Sequence, residues 1–130
     1  MSIFTTVTVE TPITTERVTD LLCNAFEGGS NYWMNWDFTS SYKMMLAQQE
    51  QPAAQFPQYD FDHPHWRLSV IVTEEENCRY DLTRDRLVKG LSLFSEKGGY
   101  HFKDFLQEND DAMTADVFLQ LCLFGNVVYG

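Results

Sequence analysis

A chain of 130 residues, 44% hydrophobic and 15% aromatic, can bury roughly two-thirds of its unfolded surface as one domain, 1–130, without metal or disulfide, and is too apolar for disorder. Nineteen acidic against nine basic side chains, a formal charge of −10, argue against direct contact with nucleic acid or anionic lipid, which need Lys and Arg to displace counterions. Cys23, Cys78 and Cys122 are odd in number and lack CxxC spacing, which argues against a disulfide framework or zinc site.

Residues 3–9 alternate Ile3, Thr5, Val7 and Val9 with Phe4, Thr6 and Thr8, predicting a first strand with one buried face that ends at Pro12. Ile13, Thr14 and Val18 then form a hydrophobic staple around a threonine N-cap. Val18, Leu21, Leu22, Ala25 and Phe26 recur at helical spacing, so a helix is expected near 14–27, stopped by Gly28 and Gly29 through a left-handed residue. From Tyr32 the period becomes two. Tyr32, Met34, Trp36 and Phe38 share one face, expected to feed the core, while Asn31, Trp33, Asn35 and Asp37 share the other.

Residues 40–48 suit a short helix, and "QQEQPAAQFPQ" reads as a surface loop. Trp66, Leu68, Val70 and Val72, then Cys78, Tyr80 and Leu82, alternate on either side of the polar Glu74–Asn77, the pattern of a β-hairpin over 66–73 and 78–82. Leu82, Thr83 and Leu87 repeat the staple ahead of a helix near 83–97. Its likeness to the first helix follows from ordinary caps and stripes without common origin. Phe102, Phe105 and Leu106 mark a short helix, and Asp110 or Asp111 caps a last one near 111–124. That helix is apolar nearly all round, which makes it the central buried element or a homo-oligomer contact. The expected fold is therefore α+β: a small antiparallel sheet of about four strands against three to four helices.

For chemistry the motifs are sparse. Asp60, Asp62, His63 and His65 form the most metal-like cluster, but fit no zinc-finger or HExxH spacing and read more simply as a polar turn. Ser30 in "EGGSN" lacks the GxSxG elbow, and neither a Walker loop nor a GxGxxG fingerprint is present. No catalytic residue and no cofactor are expected. Two clusters remain as ligand-binding candidates. One is Glu27, Ser30, Asn31, Trp33, Asn35 and Asp37, where an indole could stack on a base and amides read its edge, or where Trp33 instead packs under the first helix. The other is His101, Asp110, Asp111, Thr114 and Asp116, a polar rim or a set of helix caps.

"LLCNAFEGGSNYW" together with "HFKDFLQENDDAMTADVFLQLCLFGNVVYG" resembles a family of small uncharacterised proteins of tailed bacteriophages and prophages. The likeness spans residues 17–33 and 87–130, and its marks include Glu27, Gly28, Gly29, Tyr32 and Trp33, then His101, Asp110, Asp111, Asp116, Gln120 and Gly125. No activity is established for that family. The resemblance implies a phage setting in the host cytoplasm and, by analogy, action against host defence. Two partners follow from it: a nucleotide-like signal molecule, sequestered with Arg17 or Lys103 meeting its phosphate, or a host defence protein, blocked by an acidic surface as an anti-CRISPR or DNA mimic would. A small hydrolase acting on a nucleotide is the third reading.

The first ten residues lack a basic n-region, and no run of about 18 apolar residues exists to span a membrane. No membrane partner is expected.

Overall fold

A computed structural model describes residues 2–38, 61 and 66–130. Helix α1, Thr15–Asn24, begins as its staple predicts. Thr14 is extended, its hydroxyl oxygen accepts from the Arg17 N–H at 3.3 Å, and Ile13 packs on the core. The end of the helix differs from expectation. Its last turn widens into a π-helical turn, Ala25–Gly29, and neither Gly28 nor Gly29 has a positive φ. Glycine is required at 29 for space, because a Cβ there would lie 2.2 Å from the Ala112 carbonyl oxygen. Backbone thus rests directly on the start of the last helix.

Residues 31–33 turn, and strand β1, Met34–Phe38, follows. It pairs antiparallel with β2, Arg67–Val72, which pairs antiparallel with β3, Cys78–Thr83, in the order β1-β2-β3. The register sets Met34 opposite Val72 and Leu68 opposite Leu82. Met34, Leu68, Val70, Val72 and Leu82 are all buried on one face of the sheet. The hairpin turns through a 3-10 segment, Thr73–Glu75, and left-handed Glu76 and Asn77.

The expected first strand is absent from this sheet, which has three strands among the described residues. Residues 2–10 are exposed and outside any strand. Alternation records a preference for a pleated, half-buried surface, but a strand also needs a neighbouring edge to complete its hydrogen bonds.

Helix α2, Arg84–Lys97, is capped by Thr83, whose side chain accepts from the Arg86 N–H. Helix α3 covers Tyr100–Leu106. Helix α4, Ala112–Phe124, starts at Asp111, which accepts from the Thr114 N–H at 2.9 Å, and ends at left-handed Gly125. α1, the π turn, α2, α3 and the sheet all pack on α4, where nine residues from Thr114 to Leu123 are buried. Its all-round apolar character comes from this central position within its own chain, so the helix is not an exposed oligomer face. Phe94 of α2 meets Phe102, Phe105 and Phe118 with ring centroids 5.4 to 5.8 Å apart.

The expected helix at 40–48, the Gln-rich loop after it and the cluster Asp60, Asp62, His63 and His65 lie outside the described residues. No described helix is long and apolar enough to cross a membrane.

Candidate functional site: the Asp116 hub and its cleft

Asp116, in the second turn of α4, is a carboxylate in the core. Its Oδ1 accepts from the Ser30 hydroxyl at 2.8 Å and from the Trp33 indole N–H at 2.7 Å. Its Oδ2 accepts from the Tyr32 hydroxyl at 2.5 Å and from the Gln120 side-chain amide at 3.2 Å. Four donors from two segments thus satisfy both oxygens, as a buried carboxylate requires. The π turn arranges this: Ser30 closes it by donating its N–H to Ala25, and the Trp33 N–H donates back to Ser30. Residues 30–33 therefore wrap around α4.

Gln120, one turn beyond Asp116, fastens the segment after α4. Its Oε1 accepts from the Val128 and Tyr129 N–H groups at 2.7 and 2.8 Å, and its amide also donates to the Tyr129 carbonyl. Tyr129 is thereby stacked on Trp33, with centroids 5.4 Å apart and planes 17° apart. The Tyr129 and Tyr80 hydroxyls both donate to Glu75 in the hairpin turn.

A cleft of about 520 Å³ opens beside this hub, between Tyr32, His101, Met113, Asp116, Val117 and Tyr129. Its lining is mostly apolar, and none of the described residues that line it is Lys or Arg. His101 Nδ1 lies 3.1 Å from the hydroxyl of buried Thr114. That contact orients the ring through one nitrogen and leaves Nε2 without a hydrogen-bond partner among the described residues. Beside it, the Thr114 backbone N–H holds the Asp111 carboxyl below the usual carboxylate range.

The tyrosine at the cleft has a testable titration. Burial, then the hydrogen bond donated to Asp116, pushes the Tyr32 hydroxyl up to about 12. A phenol raised in the folded state stabilises the fold fully below its unfolded value, near 10, and that contribution is lost as pH rises towards 12. Ultraviolet titration of Asp116→Asn is expected to show one tyrosine ionising earlier than in the parent protein. An unchanged titration would sever Tyr32 from Asp116.

The predicted site residues divide into groups. Ser30, Trp33, Thr114 and Asp116 are buried, and His101 and Asp111 stand beside them. Glu27 is exposed on the π turn and Asn31 on the turn after it. Asn35 and Asp37 lie opposite Ile71 and Ser69 on the other sheet face, away from the cleft. Asp110 is bound by Arg17.

Trp33 corrects the two-face reading. It sits in the turn before β1, where the period of two does not yet apply, and it is fully buried, with no open surface for stacking. Tyr32, expected in the core, is the ring that is 51% exposed at the cleft. Arg17 is also reassigned: it binds Asp110, Asp20 and the Phe105 carbonyl, lies 4.9 Å over the Phe105 ring, and lines a different cleft with Thr14 and Glu108.

Sequence reasoning missed the roles of Gln120 and Tyr129. The available signal was Asp116 and Gln120 four residues apart, the two polar side chains in the run 115–123 of an otherwise apolar helix. Two such groups share a face and need donors from elsewhere. No metal-binding group of three His, Cys, Asp or Glu occurs among the described residues. Comparison with family models, curated proteins and solved structures finds no match to this chain.

Proposed function

We propose that this is a phage-encoded, non-enzymatic binding protein that counters host defence by sequestering a nucleotide-derived signal molecule, whose base and sugar enter the Tyr32–His101 cleft. The observation that carries this reading is the cleft itself: about 520 Å³, within the range of small-molecule pockets, mostly apolar and edged by a few fixed polar groups. Tyr32 offers a half-exposed ring for stacking, its hydroxyl oxygen keeps acceptor capacity while donating to Asp116, and His101 Nε2 offers one further hydrogen bond. With no Lys or Arg among its described lining residues, phosphate groups would remain at the mouth, in solvent. Ser30 is fully buried with its hydroxyl donating to Asp116, and it lies outside the cleft lining, so it is not placed to attack a molecule held there.

The test is a thermal-shift screen over nucleobases, nucleosides, nucleotides and cyclic dinucleotides. A ligand that binds only the native state adds about 2.7 kcal/mol at one hundred times its Kd, a rise of several degrees in Tm. His101→Ala is expected to abolish the shift while leaving the fold intact. Absence of any shift across the panel would sink the reading, and turnover of the bound molecule on chromatography would convert it to the hydrolase. The acidic-inhibitor reading draws on the exposed acids Glu74 and Glu76 at the hairpin tip. It requires a co-purifying host protein that dissociates as salt rises.

A further inference from the structure

Residues 2–10 have the sequence of a strand and lack its environment. Phe4 is 101% exposed, and Ile3, Val7 and Val9 are 79%, 78% and 78% exposed. Among the described residues nothing hydrogen-bonds to this segment. Five of its residues are β-branched in the run 5–9, which favours extended backbone and disfavours a helix. Four large apolar side chains held in water on one segment mark a contact surface.

The same chain carries an edge that such a strand would fit. β3 is one of the two outer strands of the sheet, paired with β2 on one side only among the described residues. Its six residues, Cys78–Thr83, are one fewer than the seven of residues 3–9. Tyr80 and Leu82 face the core, whereas Cys78, Arg79 and Asp81 are exposed. A strand added there would place Ile3, Val7 and Val9 as a continuation of the Tyr80–Leu82 face, with Phe4, Thr6 and Thr8 on the other.

We propose that residues 3–9 add to the β3 edge of a second copy of this chain. Each copy brings both a donor strand and an acceptor edge, so reciprocal exchange closes the assembly and leaves neither exposed. Charge does not oppose this occupant at the point of contact. Each copy carries a formal charge of −10, but residues 2–9 contain no ionisable side chain and approach an edge without adding like-charge repulsion there.

Sedimentation velocity on the full chain is expected to give at least twice the 15.1 kDa monomer mass. Val7→Pro removes a ladder donor that a strand needs. Val7 is largely exposed and outside every described helix and strand, so the variant is expected to yield a monomer with unchanged helical circular dichroism. The acceptor edge is read separately with Thr5→Cys, Val7→Cys and Val9→Cys, each mildly oxidised against exposed native Cys78. At least one is expected to crosslink two chains, and Cys78→Ser should remove that product. A monomeric parent protein would overturn the proposal and assign the segment to a partner of different sequence. An oligomer that survives Val7→Pro, or no Cys78-dependent crosslink at any of the three positions, would overturn it as well.

Discussion

Asp116→Ala is expected to destabilise the protein by about 3–5 kcal/mol, since each buried donor left without an acceptor costs about 1–3 kcal/mol. Ser30 and Trp33 are fully buried and both donate to Asp116 Oδ1, so neither can turn to water when the carboxylate is removed. Tyr32 is half exposed and can find solvent, so its loss adds less. Against a total stability of about 5–15 kcal/mol for a domain, the change is large. Asp116→Asn keeps one acceptor but turns an NH₂ group towards a donor, and is expected to fall between the two. Urea denaturation with a shared m-value would measure both. A cost below about 1 kcal/mol for the alanine variant would show that the hub does not hold residues 30–33 to α4.

Gly29→Ala carries the second large effect, and its sign is decided by space rather than propensity. Alanine is favoured over glycine in helical backbone by about 1 kcal/mol, and Gly29 has no positive φ to forbid it. The new Cβ, however, would lie 2.2 Å from the Ala112 carbonyl oxygen and 3.0 Å from its carbon. Those atoms are backbone at the start of the central helix and cannot rotate away. Overpacking of this kind costs about 1–3 kcal/mol, and the displacement would fall on the cleft wall, where Gly29 and Ala112 both lie. Gly28→Ala is the internal control, because no atom of the described residues lies within 4 Å of a Cβ placed there. It is expected to be neutral or stabilising by about 0.5–1 kcal/mol. Thermal melts of the pair would test the argument, and equal effects at 28 and 29 would refute it.

Several elements were legible in the chain because their causes are local. Thr14 and Thr83 cap their helices through side chains that reach three residues ahead, a geometry set within one turn. The hairpin of β2 and β3 follows from alternation on either side of a polar turn. The all-round apolar pattern of α4 marked it as central or as an interface, though it could not say which. Within the candidate site, Asp111 as the helix cap was readable for the same reason.

What only the tertiary structure decided depends on residues brought together across long separations. The period of two assigned Trp33 and Tyr32 to the wrong sides, because the strand begins at Met34 and the preceding turn is oriented by Asp116, more than 80 residues later in the chain. Gly29 looked like a left-handed helix stop, and is instead a point of backbone contact with Ala112. Alternation in residues 3–9 announced a strand, but whether a strand forms depends on a free edge nearby, which no local pattern encodes. Composition, caps, periods and turns are properties of neighbours in sequence. The hub, the cleft and the unpaired segment are properties of which surfaces meet, and that is settled only when the core closes around α4.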